Sequence, residues 1–504
     1  MPRPQAARSS VAARPGAVSR ALARDRLGIP AVLFFVLAGI APLTVAAGVI
    51  PTAFATTGLT GIPAAFGVVA VILAVFATGY MAMSRRITHS GAFYAFVARG
   101  LGRPAGVAAA LIALVAYTFL QVGLYGALGP AAQGEAAAHL GVHEPWWVWA
   151  LIAWALVTGL GQLRVDITGK VLGVLLTAEL AVVIAETVRG LARPAGGHLS
   201  FATLSPAGLG SAGLGTFGVL AVVAVLGFVG FEFGAGLSEE ARRPRRTIPA
   251  ATYLALGVIA VVYAGASWAM AAHYGTSHVA AAAGKLGPGL LFTLSGSTRL
   301  AQAGQLLFMT SLFAAALAFH NVVWRYVFAL GRENVLPAAL GRTGASNIPR
   351  AASLTQSATG VAVIVGYALG GWPPMTDLFF WLGTTGGFGI ILLLALTSVA
   401  VIAFFARDPD GEIAWRRLIA PAIAFAALAG IVVLAVAHYA TLLGTAPGSP
   451  ATWALPASYP AAAVIGLAWA AILRARRPAV YATIGLGAHA ITGQRGLATS
   501  EPAA

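Results

Sequence analysis

Three carboxylates stand inside long apolar stretches of this sequence, and their positions define the chemistry open to it. Glu232 interrupts "VLGFVGFEFGAG", Glu179 lies in "LLTAELAVV", and Glu186 follows seven residues later. An acid at bilayer depth costs roughly 2.5–3.5 kcal/mol on insertion scales, so it normally faces an interior, pairs with a cation or carries a proton. Glu179 has no basic neighbour in sequence, and Glu232 is set among Gly227, Gly230, Gly234 and Gly236. Both are candidate carriers of a coupling proton. Glu232 has two further uses: meeting a substrate ammonium, or capping unwound backbone N–H groups. Glu186 is three residues from Arg189 and reads as a solvated helix end.

Other polar groups recur at informative spacings. Tyr117, Gln121 and Tyr125 fall every four residues and so lie along one helical face. They either line a pocket with hydroxyls and an amide or serve as helix-packing glue. Phe228 and Phe231 flank the Glu232 segment, placed to close over a substrate. In "HLGVHE", His139 and His143 are four apart with Glu144 following. A metal site would need a rigid helix there, whereas the segment reads as an external loop, so no metal is expected. The chain has no cysteine, which removes disulfides and thiolate sites. No serine–histidine constellation, phosphate cradle or Walker sequence is present, so neither an enzyme, a cofactor nor direct use of ATP is expected.

The elements that must hold these groups follow from composition. Only 9% of the residues are charged and 59% are hydrophobic, where a soluble domain carries about a quarter charged. Runs of about 20 apolar residues each suffice to cross a bilayer as a helix. The pattern predicts an all-α polytopic membrane protein with about twelve spans. These lie near 30–51, 62–84, 105–130, 145–163, 171–190 and 215–238, then near 250–273, 301–330, 353–370, 377–405, 418–443 and 457–474. With twelve spans both termini share a side. Arg189, Arg193, Lys285 and Arg299 fall on the other side, leaving the remaining 27 of 31 Lys and Arg with the termini. By the positive-inside rule that side is the cytoplasm, so the lipid bilayer is a partner and nucleic acid is not, despite the net charge of +16. Residues 1–26 read as a retained cytoplasmic disordered tail, 27–405 as a core of ten spans, 406–474 as two peripheral spans and 475–504 as a second cytoplasmic tail.

Two spans are interrupted. Span 1 carries Gly39 and Pro42 near its middle, and span 6 carries its four glycines. Irregular backbone at membrane depth is tolerated only where it lines a cavity or is buried in protein. If spans 1–5 and 6–10 are repeats, the interruptions correspond, the best sequence pointer to a transporter binding site. Close helix packing is the competing use of such residues.

Three segments resemble the amino acid–polyamine–organocation (APC) superfamily of permeases: "GFVGFE" with "LSEEARRPRRTIPAA", "SRRITHSGAFYAFVARGLG" and "NVVWRYVFALGRENVLPAALGR". The resemblance runs along nearly the whole chain. It implies a LeuT-type fold of two inverted five-helix repeats plus two peripheral helices, with a substrate site at the unwound centres of spans 1 and 6. It places Ile40, Ala41, Pro42, Leu43 and Thr44, with Phe228, Gly230, Phe231 and Glu232, around the substrate; on the pocket reading of their shared face, Tyr117 and Gln121 join them. Where many relatives have a Gly-x-Gly stretch, this chain has "APLT", which resembles putrescine-importer-like members. Glu179 falls where several proton-coupled relatives carry a lysine. The expected function is secondary active transport of amino acids across the cytoplasmic membrane, proton-coupled or by exchange. A polyamine or organic-cation importer is the alternative, and a non-transporting membrane sensor a remote one.

Overall fold

The computed structural model describes residues 27–487 except 88, 90, 163–164, 206–208, 210–213, 238–239, 344–347, 410 and 447, together with the side chains of 56, 165–172, 214 and 216. The tail 1–26, Arg164, Glu239 and the end of the C-terminal tail lie outside the described residues. Among those described there is no β-strand, and ten helices are long and apolar enough to cross a membrane. Every stretch expected to span holds helix.

The chain enters through α1 (Ile29–Ile40), which stops at Ala41. Ala41 takes the left-handed conformation, φ 53° and ψ 72°. Its place before Pro42 explains why it leaves the helix: the proline ring disfavours helical backbone at the preceding residue. Helix resumes as α2 (Pro42–Thr44), passes through a π-helical turn (Val45–Val49) and continues as α3 (Ile50–Thr57). Next come α4 (Ile62–Ser84), the short α5 (Ala92–Leu101) and α6 (Arg103–Leu140). The last runs ten residues beyond the expected boundary, through Pro130, until Gly141 at φ 63° ends it. His139 is therefore helical, not in a loop. It pairs with Glu135 at 3.3 Å, while His143 lies past the helix end.

After α7 (Trp146–Leu160) and α8 (Val165–Leu191), span 6 forms α9 (Leu214–Phe228) and α10 (Phe233–Gly236), separated by a turn. The remaining elements are α11 (Pro244–Tyr274), the short α12 (Val279–Leu286) and α13 (Gly289–Phe292), α14 (Thr298–Arg332) and α15 (Arg350–Gly370). A π-helical stretch (Pro374–Trp381) leads into α16 (Leu382–Arg407), and α17 (Ala420–Ala437), α18 (Tyr439–Leu443), α19 (Ala451–Arg476) and α20 (Pro478–Thr483) follow.

The end of the bundle carrying the basic loops is locked by buried polar contacts. Arg325 of α14 donates through Nε and NH2 to Glu240 Oε1 at 3.1 and 2.8 Å and stacks on Trp324, both charges being almost wholly buried. Main-chain bonds from Leu27 to Glu240 and from Arg242 to Leu27 tie the start of span 1 to the end of span 6. Beside them Glu333, fully buried, accepts from His89 at 2.9 Å, from the Tyr94 hydroxyl, and from the main-chain N–H groups of Gly485 and Gly487 at 2.8 and 2.6 Å. Burial first, and the Glu333 carboxylate second, push the Tyr94 hydroxyl well above its ordinary pKa, so it stays a donor. The segment expected as a C-terminal tail thus begins as a docked structural element.

Candidate functional site

The two helix breaks meet in the middle of the bundle. Gly230, at φ +113°, is so close to span 1 that a Cβ there would lie 2.8 Å from Gly39 C and Ile40 N. Gly39 in turn has no room for a side chain because the Phe233 ring fills its face, 2.4 Å from where a Cβ would stand. The sequence marks both glycines. The residue that absorbs the distortion in span 1 is Ala41.

A cavity of about 100 Å³ opens from this junction. Ile40, Ala41 and Thr44 of span 1 line it, and it follows that span to Thr57, away from the basic loops. Its opposite walls come from α6, α9, α14 and the π-helical stretch before α16, through residues such as Leu124, Val222, Leu226, Phe319 and Phe380. No carboxylate or cation belongs to its lining. Pro42 and Leu43 are buried beside it without lining it.

Glu232 does not face that cavity. Its carboxylate turns back on the break, where Oε2 accepts the Gly230 N–H at 3.0 Å and Oε1 accepts the Tyr117 hydroxyl at 2.8 Å. The Tyr80 hydroxyl reaches its main-chain carbonyl at 3.3 Å. Each carboxylate oxygen therefore has a donor, and the side chain caps the unwound backbone. A second space of about 20 Å³, room for one water, adjoins it between Tyr117, Tyr326 and Arg325.

Glu179 stands differently. It is buried on α8 against the span 1 break, and one of its oxygens, Oε1, has no hydrogen-bond partner. Ser311 of α14 is its polar neighbour. The same Ser311 Oγ accepts from the Thr44 N–H and lies 3.2 Å from the Thr44 hydroxyl. One hydroxyl thus stands between the acid and a residue that lines the cavity.

The face carrying Tyr117, Gln121 and Tyr125 divides. Tyr117 goes to Glu232, whereas Gln121 donates to Tyr125 at 2.8 Å and accepts from Gln356 of α15 at 2.9 Å. Gln121 and Tyr125 act as glue between helices. A fourfold spacing drifts by about 40° per step on a 3.6-residue helix, so Tyr125 points about 80° away from Tyr117. Phe228 packs on Phe66 and Tyr263, and Phe231 on Phe76, outside the cavity lining. The aromatic rings that do line it, Phe319, Phe379 and Phe380, have no mark in sequence that separates them from other apolar residues of their spans.

Glu186 corrects its expectation. It is fully buried rather than solvated, and accepts from Ser295 N at 2.8 Å and Ser295 Oγ at 3.1 Å. Those donors come from a loop 109 residues later, where local sequence gives no hint of them.

A family profile described as amino acid permease matches residues 31–480. The chain belongs to that family, and so to the APC superfamily. Over 204 residues this family member is 28% identical to the branched-chain amino acid permease BcaP of Lactococcus lactis subsp. cremoris. That stretch covers 39% of the present chain and 42% of the relative, less than half of either. The family match embraces both helix breaks, at Ala41 and at 229–232, and ends inside α20.

Proposed function

We propose that the protein is a secondary transporter for amino acids with small or branched apolar side chains, seated in the cytoplasmic membrane with both termini inside. The observation that carries this reading is the meeting of two helix breaks at the edge of an apolar cavity that has no carboxylate in its lining. The helical run restarting at Pro42 turns the positive end of its dipole, and the Thr44 hydroxyl on the cavity wall, toward a substrate carboxylate. The aliphatic wall takes the side chain. An apolar cavity of about 150 Å³ holds benzene, so about 100 Å³ suits an aliphatic group. A polyamine would find no counter-charge on that wall, which weighs against the organic-cation alternative. The similarity to a branched-chain amino acid permease supports the same substrate class.

Uptake into proteoliposomes tests this. Burying a leucine side chain is worth about 1.5–3 kcal/mol, or roughly ten- to hundredfold in affinity. Leucine, isoleucine and valine should therefore compete at least about tenfold better than glycine, and putrescine not at all. Inhibition by putrescine but not leucine would overturn the reading, as would binding without accumulation. The orientation is supported by the basic loops. A cysteine placed at Arg245 should resist a membrane-impermeant thiol reagent in intact cells, and labelling from outside would refute it.

Coupling to protons is the finer part of the proposal. We assign the proton to Glu179, which keeps one oxygen unpartnered and adjoins the Ser311 hydroxyl that contacts Thr44, and the structural cap to Glu232, whose oxygens are both engaged. Glu179→Gln should then remove the pH dependence of leucine uptake while sparing exchange. Glu232→Gln should lower uptake at every pH without flattening the profile. The reverse pattern would move the coupling role to Glu232.

A further inference from the structure

Four glycines line the apolar cavity: Gly39, Gly48, Gly123 and Gly383. At three of them a side chain would touch protein. A Cβ on Gly39 meets Phe233 at 2.4 Å, one on Gly123 meets the Leu378 carbonyl oxygen at 3.2 Å, and one on Gly48 makes ordinary contact with Phe308 at 3.7 Å. Gly383 is different, because a Cβ there would have nothing within 4 Å. It lies in the first turn of α16 with a φ that any residue adopts, so neither packing nor backbone conformation calls for glycine. Glycine also weakens a helix relative to alanine. Phe379, Phe380 and Thr384, one turn or one residue away, line the same cavity, which fixes the face of the helix that Gly383 presents to it.

We infer that Gly383 sets the upper size of the side chain this cavity admits: the missing Cβ is space left for the substrate. The inference rests on the amino acid reading above. In an apolar pocket one methylene changes discrimination by about 10–200-fold, so atoms added at position 383 should act selectively on the larger substrates. Because the new atoms enter free space, the fold should tolerate them.

The test compares uptake of alanine, valine, leucine and phenylalanine by proteoliposomes of the full chain, as wild type, Gly383→Ala and Gly383→Val. Gly257→Val serves as control, since Gly257 also faces open space but lies on the exposed side of α11. Gly383→Val should lower the leucine-to-alanine uptake ratio by about tenfold or more, leucine losing more than alanine. Gly383→Ala should shift the ratio the same way by less, and Gly257→Val should leave it alone. If Gly383→Val does not accumulate in the membrane, the ratio for Gly383→Ala decides. An unchanged ratio, or equal loss of all four substrates, overturns the role of Gly383 while leaving amino acid transport standing. A wild type that takes up none of the four overturns the transport reading itself, and this inference with it.

Discussion

Gly230→Ala should reduce uptake to background even where the protein reaches the membrane. A residue with a side chain held at φ +113° costs about 1–3 kcal/mol in backbone strain alone. The added methyl would also stand 2.8 Å from Gly39 C and Ile40 N. Both are main-chain atoms, so no rotamer change relieves the contact and the two broken spans must separate. Gly227→Ala provides the comparison. Its methyl would meet Phe66 at 2.9 Å and Val45 Cγ1 at 3.1 Å, which are side-chain atoms able to shift. It should retain at least about ten times more uptake than Gly230→Ala, since side chains yield where backbone does not. Near-normal uptake by Gly230→Ala would mean that the junction of the two breaks is not where substrate passes.

The second large effect belongs to the locked end of the bundle. Arg325→Ala leaves Glu240 buried without the guanidinium that contacts it, and breaking a buried pair from one side costs about 3–5 kcal/mol. The same change at Arg85, whose pair with Glu412 is partly exposed and shared with Arg416, should cost less than about 1 kcal/mol. Denaturant titration in mixed micelles would read both. Equal effects would show that Arg325 is solvated in the membrane-embedded protein.

How far the sequence revealed this arrangement depended on the range of each interaction. Pro42 acts on the residue beside it and the glycines of span 6 act through their own backbone, so the breaks were legible locally. The apolar runs were legible too, because each must cover the bilayer by itself. The acids were not. Glu186 looked solvated because Arg189 is near in sequence, yet its partner is Ser295. Glu232 and Glu179 look alike as lone acids in apolar runs. They differ because Tyr117 lies 115 residues from one, while the other adjoins Ser311 with an oxygen unpartnered. The cavity wall was hidden for a further reason: an apolar residue facing substrate has the same composition as one facing lipid.

The carboxylate of Glu333 gives the chain an order of assembly. Two of its donors, Gly485 and Gly487, lie 152 and 154 residues further along. At about 5–20 residues per second of synthesis, α14 exists for roughly 8–30 s before the ribosome has made the N–H groups that complete its terminal acid. Until then the acid has, among the described residues, His89 and Tyr94, both made earlier. The basic end of the bundle therefore closes only once Gly485 and Gly487 have been made, and a nascent chain stopped before Gly485 would carry an acid still open to water.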